Sequence, residues 1–482
     1  YDTPNIDRLA QEGIKFTHAY AASHVCSPTR ASIMTGKYPA RLHLTDWLGG
    51  RRSYAFESLT SPDFLQELPL EESTIAEAFK AHGYATAHIG KWHLGEDPFG
   101  PLEQGFDMRV PNWNKGWPNA GYYAPFELDG VEDEPGQYLT DRLTDYAKDF
   151  ISENQDQPFF LYMSHFAVHD PIHGRPDLVE KYRQKLASVD PSNSPPFLLE
   201  GNPDDPQPLT NEQLVSLIDL PPYQDYKVLP ERTVKIKQHQ DNIEFAAMVE
   251  SMDESLGRIV DHIDQLGLTD NTLIVFFSDN GGMSGANFGG ASRVVDSSRL
   301  DSAYSTSNLP LRGAKGWLYE GGIRVPMIVK WPEKFSDSSR IVEEPVISTD
   351  FYPSLLEMAG LPARDEQALD GVSFVPALNG DSFNRGPIFW HFPQYSNHGM
   401  QSPGGAVRFG DYKLLEYFEN NTVQLFNLRE DIGERNDLSQ TEPQIREELR
   451  TLLRSWREDV DAQMPPRNPD YDPSQYPHRA SP

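Results

Sequence analysis

Short apolar runs alternate with amphipathic stretches along most of the chain. Four of the runs have the length and near-continuous hydrophobicity of strands that are buried on both faces. They are residues 84–89, 159–163, 273–277 and 325–331. The stretches between them place apolar residues at three- and four-residue spacing, which is the pattern of helices packed on a sheet. We therefore predict an α/β fold with a large, mainly parallel central sheet flanked by helices.

Capping residues and helical periodicity predict where several of the helices lie. Thr3 precedes a proline and the first amphipathic stretch, as an N-cap does. Thr74 and Glu77 form the capping-box pattern at the start of another helix. Apolar residues also recur at helical spacing in residues 139–151 and in a longer stretch, about 236–266.

Changes in pattern along the chain predict two units and a tail. Residues 1–384 would form the larger domain, interrupted at about 171–230 by a Pro- and polar-rich surface insertion. Residues 385–464 would form a small α+β unit, because alternating patterns there are typical of an antiparallel sheet that a helix follows. Its predicted strands are 406–408, 413–418 and 423–427, and its predicted helix is about 443–460. The Pro-rich stretch 465–482 is expected to be an irregular tail.

The charge balance argues against nucleic acid as a partner. The chain has 482 residues, with 42 Lys and Arg against 72 Asp and Glu, and a formal net charge of −30. Such a surface repels phosphate backbones, and at long range it repels any polyanion. An acidic substrate would therefore need a local cluster of cationic groups.

Neither the cysteine content nor the start of the chain indicates the compartment in which the protein works. Cys26 is the single cysteine, so no disulfide can form within the chain. No apolar run approaches the ~20 residues of a membrane-spanning helix. The chain begins with Tyr1 and enters a helix almost at once. We expect that N-terminal sequence, with a targeting segment, has been lost.

The segment His24-Val25-Cys26-Ser27-Pro28-Thr29-Arg30 carries the sharpest chemical signal. Pro28 suits the first turn of a helix, which places Cys26 at the N-terminus, where backbone N–H groups favour negative charge. Arg30 lies one helical turn further on and can reach the same end. This pattern predicts an activated thiolate beside an anion-binding group.

Two more motifs follow predicted strands. Lys91 and His93 come after one strand, and an extended backbone would turn both side chains to the same side. Asp279 and Asn280 come after another and offer oxygen atoms, which hard cations such as Ca²⁺ and Mg²⁺ prefer. Ligand sites of parallel α/β sheets lie beyond the carboxyl ends of the strands, so we expect these side chains to converge.

A histidine-rich and a glycine-rich stretch complete the set. The strand-like run 159–163 leads to His169, with His165 and His173 as alternatives in the same stretch. The other interpretation of this stretch is that its histidine has only a structural role and is held by hydrogen bonds. Residues 308–322 contain Lys315 among several glycines.

Taken in order, these motifs resemble those of the type I sulfatases, a family of the alkaline-phosphatase-like superfamily. Cys26-Ser27-Pro28-Thr29-Arg30 matches the family signature C-x-P-x-R, and residues 308–322 are similar to its G-x-K-x-x-x-x-E-G-G segment. The resemblance covers residues 1 to about 437, and the chain looks like bacterial arylsulfatases and N-acetylgalactosamine-sulfatases. It implies an alkaline-phosphatase-like fold, hydrolysis of sulfate esters, and oxidation of Cys26 to formylglycine, the nucleophile.

The resemblance also implies roles for the other residues. Cationic side chains hold residue 26 and the sulfate, two histidines move protons, and oxygen donors bind Ca²⁺ or Mg²⁺. These roles fall on Arg30, Lys91 and Lys315, on His93 and His169, and on Asp279 and Asn280. His93 would act as base toward residue 26, and His169 as acid toward the leaving alcohol. Glu320 is expected to be structural.

The resemblance implies a maturation enzyme that generates formylglycine, and a periplasmic or secreted location. The family also has a pair of metal-binding aspartates upstream of a segment like residues 1–16, which Asp2 and Asp7 do not match. We expect that the sequence is a fragment. The alternative is that the protein lacks half of its metal site and is inactive, which would suit a protein that binds sulfated glycans without cleaving them. The alternative activity is that of a phosphonate or phosphate-ester hydrolase of the same superfamily.

The expected substrate is a sulfated carbohydrate. Residues 41–47 and 391–393 resemble blocks of bacterial enzymes that act on sulfated glycans. Aromatic and imidazole faces can pack on sugar rings, and each such side chain could equally serve internal packing. The candidate sugar contacts are Trp47, His391, Tyr395 and His398.

Overall fold

The structure is a computed structural model that describes residues 1–190, 194–218, 232–285, 304–335, 339–362, 367–399 and 401–475. The helices are α1 (Pro4–Glu12), α2 (Cys26–Thr35), α3 (Pro39–Leu42), α4 (Ile75–Lys80), α5 (Leu139–Glu153), α6 (Pro176–Ala187), α7 (Asn211–Ile218), α8 (Ile243–Gln265), α9 (Glu320–Ile323), α10 (Phe351–Met358), α11 (Val375–Asn379) and α12 (Pro443–Asp459). The strands are β1 (Ile14–Tyr20), β2 (Ala85–Gly90), β3 (Met108–Val110), β4 (Phe159–Ser164), β5 (Phe197–Glu200), β6 (Val234–Lys237), β7 (Ile274–Phe277), β8 (Arg324–Lys330), β9 (Ile341–Val342), β10 (Val346–Ile347), β11 (Ile388–Phe392), β12 (Gly404–Phe409), β13 (Tyr412–Tyr417) and β14 (Val423–Asn427).

The α/β class is confirmed, but the prediction of one large, mainly parallel sheet is wrong. The described strands before residue 384 form a mixed sheet of order β10-β1-β8-β7, with β9 beside β1, a separate sheet of order β3-β2-β4, and the two-stranded sheet β5-β6. In the mixed sheet β8 runs antiparallel to both β1 and β7. An apolar run covered on both faces looks the same in either direction, so the sequence pattern could not distinguish the two.

The three-stranded sheet is parallel throughout, and it brings two of the motifs together. β2 pairs with β3 on one side and with β4 on the other. The last residues of β2 and β4, Gly90 and Ser164, are partners in the register. The chain that leaves β2 toward Lys91 therefore lies beside the chain that leaves β4 toward His169.

Most of the predicted helices are present, with two differences. The capping box of α4 is complete, since Glu77 N donates to Thr74 Oγ1 at 3.1 Å and Thr74 N to Glu77 Oε2 at 2.7 Å. Thr3 precedes α1 but makes no side-chain cap bond. The long helix begins at Ile243 and not near residue 236, because residues 234–237 form β6, which pairs antiparallel with β5.

The C-terminal antiparallel sheet is confirmed. Its order is β11-β12-β13-β14, with every pair antiparallel, and α12 packs on β12 and β13. Its first strand, β11, was not among the predicted strands. The indole of Trp390 in β11 donates to the Ala21 carbonyl oxygen at 2.8 Å, just after β1. The two parts of the chain therefore share one continuous hydrophobic core.

The stretch 171–230, predicted as a surface insertion, contains ordered elements. Helix α6 buries Leu178, Val179 and Tyr182 against Ala246 and Ala247 of α8. Beyond α12, the backbone near Arg467 forms a β-bridge with Leu59. Within the described ranges, no helix has both the length and the apolar character needed to cross a membrane.

Candidate active site

Cys26 is the first residue of α2 and is buried, with 3% of its surface exposed. Val25 before it is extended, and Gly36 ends the helix in the left-handed conformation at φ 70°. The thiol therefore lies at the helix end where unpaired backbone N–H groups favour negative charge. This is the position that the sequence pattern predicted.

Two lysines and two histidines converge on the thiol. Burial alone would raise the pKa of Cys26, but the charges of Lys315 and Lys91 and hydrogen bonds from His169 and His93 bring it well below its ordinary value. Four segments that are distant in the sequence thus form one anion-stabilising pocket around residue 26.

Arg30 links this pocket to the predicted metal ligands. Its Nε donates to Asp279 Oδ2 at 3.1 Å, and its Nη1 donates to the Lys91 carbonyl oxygen at 2.6 Å. Lys91 Nζ lies 3.8 Å from the same Asp279 oxygen. The guanidinium is buried and planar, so it holds α2, the Lys91 turn and the end of β7 in fixed relative positions.

Lys91 and His93 face the pocket through a turn and not through an extended backbone, so that part of the prediction is wrong. Strand β2 ends at Gly90, whose φ is 111°, and His93 has a φ of 60°. A Cβ on Gly90 would lie 1.9 Å from the Ser164 carbonyl oxygen, so only glycine fits between β2 and β4. Burial lowers the pKa of His93 to about 4, which leaves the imidazole neutral and able to accept a proton.

Backbone hydrogen bonds fix the Lys315 loop against both neighbouring segments. Lys315 N donates to the Gly282 carbonyl oxygen at 3.0 Å, and Gly316 N donates to the His24 carbonyl oxygen at 2.9 Å. A Cβ on Gly281 would lie 1.9 Å from the Gly321 carbonyl oxygen. The glycines therefore let three chain segments approach closely enough to place Lys315 beside Cys26.

Glu320 supports this loop from behind, as its predicted structural role requires. Its carboxylate accepts from Lys413 Nζ at 2.9 Å and from Tyr20 Oη at 2.8 Å, and its backbone N donates to Glu434 at 2.7 Å. Glu320, Lys413 and Glu434 are all fully buried. The C-terminal sheet thus contributes a buried ion cluster that anchors the Lys315 loop.

Of the three candidate histidines after β4, His169 is the one that lines the pocket. Its Nδ1 lies 3.3 Å from the Asp170 carbonyl oxygen, and its own carbonyl accepts from Tyr122 Oη at 3.0 Å. His165 Nε2 instead lies 3.3 Å from Ser255 Oγ of α8, and the ring of His173 packs on Tyr123. His165 and His173 therefore make contacts within the protein and do not line the cavity.

Asp279 and Asn280 offer oxygen atoms of the type that a hard cation binds. Asn280 Nδ2 donates to the Gly281 carbonyl oxygen at 2.9 Å, while its Oδ1 is buried and has no hydrogen-bond partner among the described residues. Such an orphaned oxygen beside a carboxylate fits a cation site. No group of three or more His, Cys, Asp or Glu side chains in the described ranges has a metal-binding arrangement.

The pocket opens into a cavity of about 420 Å³. Cys26, His93, His169 and Lys315 form its reactive end. The other walls include Trp47, Trp117, Asn119, Asp170, Asn397 and His398. Of the candidate sugar contacts, Trp47 and His398 line this cavity.

His391 and Tyr395 do not line this cavity, so their prediction as sugar contacts is not supported. His391 Nε2 is 2.8 Å from the Gln463 carbonyl oxygen, and Tyr395 Oη donates to Glu419 at 2.8 Å. Both side chains are buried in the C-terminal part of the core. Trp117 also lines the cavity and was not predicted, because its loop follows no long apolar run and carries no motif of its own.

Comparison with known proteins agrees with this geometry. The profile of the sulfatase family matches residues 1–361 of the 482. The chain belongs to the sulfatase family. It is thus an enzyme of the class that hydrolyses sulfate esters. The profile for the C-terminal part of N-sulphoglucosamine sulphohydrolase matches residues 314–459, which include the C-terminal sheet of this sulfatase.

Curated relatives of this sulfatase cover most of its length. It is 28% identical to a sulfatase of Formosa agariphila, over 95% of this chain and 83% of the relative. It is 27% identical to N-acetylgalactosamine-6-sulfatase of the dog, Canis lupus familiaris, over 88% of this chain and 69% of the relative. The Escherichia coli sulfatase YdeN is also 27% identical, over 96% and 77% of the two chains.

Two solved structures share the fold. Ps i-CgsB, crystallised in complex with k-i-k-neocarrahexaose, is 26% identical and superposes with a TM-score of 0.67 over 95% of this chain and 88% of its own. BT4656, solved in complex with D-glucosamine-2-N,6-O-disulfate, has the same TM-score over 99% and 95% of the two chains. Its identity of 21% makes this a likeness of fold alone.

Proposed function

We propose that this sulfatase cleaves sulfate esters of a carbohydrate, with residue 26 as the position of the nucleophile after oxidation to formylglycine by a maturation enzyme. The observation that carries the proposal is the convergence of Lys91, Lys315, His93 and His169 on the buried Cys26. Formylglycine would supply a hydrated aldehyde, which has two hydroxyl groups on one carbon. One hydroxyl would attack sulfur, and the other would later help to expel sulfate. A divalent cation, Ca²⁺ or Mg²⁺, held by Asp279 and Asn280 would polarise a sulfate oxygen.

The cationic groups account for binding of the sulfate group. Lys91 and Lys315 are far apart in the sequence, but both lie next to residue 26. Both are at least 95% buried. In such a water-poor site their charges interact with sulfate oxygens more strongly than they would in water. Arg30 keeps Lys91 in place by binding its carbonyl oxygen. The protein is acidic as a whole, so this local cluster is what captures an anionic group.

The two histidines account for proton movement. His169 is in reach of residue 26 from the cavity side, and it would donate a proton to the ester oxygen of the leaving alcohol. His93, whose pKa is lowered to about 4, is neutral at pH 7 and would accept a proton from a hydroxyl on residue 26. His169 would thus serve as the acid when the alcohol leaves, and His93 as the base when sulfate is expelled.

A carbohydrate substrate is supported by the cavity and by one relative. The cavity walls combine two indole rings with amide, imidazole and carboxylate groups, and such mixed walls suit a ring with apolar faces and polar edges. Ps i-CgsB, 26% identical, has been crystallised with the saccharide k-i-k-neocarrahexaose.

A comparison of ester types tests the proposal directly. The matured full chain is expected to release sulfate from a sulfated monosaccharide with a kcat/KM at least about 100-fold above that for phosphate release from the matching phosphate ester. This expectation follows from membership of the sulfatase family, whose profile matches residues 1–361. Ion chromatography of both anions measures it. Preferential phosphate release would contradict the proposal and favour the related phosphate-ester hydrolases.

Replacement of His169 by alanine should show the signature of a lost general acid. We expect kcat/KM for a sugar sulfate to fall by about 10² to 10⁴-fold. For 4-nitrophenyl sulfate, whose phenolate leaves without protonation, the loss should be less than about tenfold. His173→Ala is the matched control, because its ring packs on Tyr123 outside the cavity. Equal losses of His169→Ala for both leaving groups would rule out this role.

A further inference from the structure

Several buried polar atoms on three residues that line the cavity have no hydrogen-bond partner among the described residues. They are both ring nitrogens of His398, Oδ1 of Asp170 and Nε1 of Trp47. A buried polar atom left without a hydrogen bond costs about 1–3 kcal/mol, so folded proteins rarely keep several in one place. Their grouping around one cavity points to a ligand that satisfies them.

An aromatic corner stands beside these atoms. The rings of Trp47 and Trp117 lie 6.3 Å apart at 59°, and the ring of Trp117 lies nearly parallel to that of His169, at 17° and 6.0 Å. Trp113 Nε1 donates to the Trp117 carbonyl oxygen at 3.0 Å and so holds this loop in place. Cys26 and the unsatisfied polar atoms line the same cavity as this corner, so a ring packed on the indoles would share that space with them.

The unsatisfied atoms differ in what they can bind. Trp47 Nε1 can only donate, His398 can donate and accept, and the ionised carboxylate of Asp170 can only accept. A sugar ring carries hydroxyl groups that do both. A second sulfate near Asp170 would offer no proton to it and would be repelled by its charge.

The position of Asp170 indicates which part of the sugar it meets. It directly follows His169, the residue that reaches the ester oxygen under the proposed mechanism, and both line the cavity. A sugar whose ester oxygen meets His169 would therefore bring the substituents next to the ester carbon toward this carboxylate. On the strength of the proposed function, we infer that Asp170 accepts a hydrogen bond from a free hydroxyl beside the sulfate ester and so selects rings that are not sulfated there.

Substrate pairs test this selection in the unaltered enzyme. One sugar sulfate with a free neighbouring hydroxyl is compared with the same sugar in which that hydroxyl is sulfated or methylated. We expect kcat/KM for the free hydroxyl to be at least about 30-fold higher than for either derivative, since both lose the hydrogen bond to a charged acceptor. Similar values for all three substrates would overturn the inference.

The variant Asp170→Asn assigns the selectivity to this residue. An amide of the same shape carries no charge and can donate, so the preference over the sulfated derivative should fall by at least about tenfold. Glu132→Gln is the matched control, because Glu132 pairs with Arg142 at 2.7 Å on the surface and should leave the preference unchanged. A uniform loss of kcat/KM with an unchanged preference would assign Asp170 a structural role and overturn the inference.

The same experiments separate failure of this inference from failure of the proposed function. If no substrate of the panel releases sulfate while the matured protein is folded and lacks its thiol, the proposed function itself fails. If sulfate is released without discrimination between the pairs, the proposed function stands and only the role of Asp170 is lost.

Discussion

Replacement of Cys26 by alanine should lower kcat/KM for a sulfate ester by at least about 10⁴-fold. Residue 26 is the nucleophile position in the proposed mechanism, and loss of an enzyme's nucleophile leaves only the catalysis supplied by the surrounding charges. The side chain is buried at the start of α2, so alanine fits with little change in packing. Sulfate release and thermal unfolding of both proteins measure the effect on activity and on the fold.

The single cysteine gives this prediction an independent readout. Because Cys26 is the chain's one thiol, titration of thiols in the denatured, matured protein reports directly on its conversion. We expect the thiol content to fall as activity rises, and a peptide containing position 26 to show the mass of the aldehyde. Full activity of a protein that still has one thiol per chain would refute the formylglycine assignment.

Replacement of Lys315 by alanine should lower kcat/KM by about 10² to 10³-fold, the usual effect of removing one group that stabilises developing negative charge. Lys315 is nearly buried, and its charge is the largest attractive influence on the Cys26 thiolate. Lys80→Ala is the matched control, because Lys80 pairs with Asp107 at 2.8 Å on the surface. The loss of such an exposed pair has little effect.

The unmatured protein tests the electrostatic role of Lys315 without any catalysis. Removal of this positive charge removes a stabilisation of the thiolate, so the pKa of Cys26 should rise in Lys315→Ala. The rate of alkylation by iodoacetamide at a fixed pH should then fall, since the thiolate is the reactive form. An unchanged pH profile of alkylation, together with unchanged activity, would show that Lys315 does not act on residue 26.

Local features of the fold and site could be predicted from the sequence. Pro28 and the residues after it predicted a helix that begins at Cys26, and Thr74 with Glu77 predicted a capping box. Both are present. Apolar runs located β2, β4, β7 and β8 to within one residue at each end. These features depend on neighbours in the chain, through backbone sterics, capping bonds and the period of burial.

The tertiary structure decided which directions the strands take and which side chains meet. Strand β8 runs antiparallel to β1 and β7, a choice that hydrophobicity alone does not encode. Trp117 reaches the cavity from a loop without a motif, while His391, which lies in a suggestive motif, is buried elsewhere. The sequence alone therefore determined the approximate positions of several helices, of β2, β4, β7 and β8, and of the candidate groups for the chemistry. The walls of the substrate cavity were decided only by long-range packing, because contacts between distant segments leave no period in the sequence.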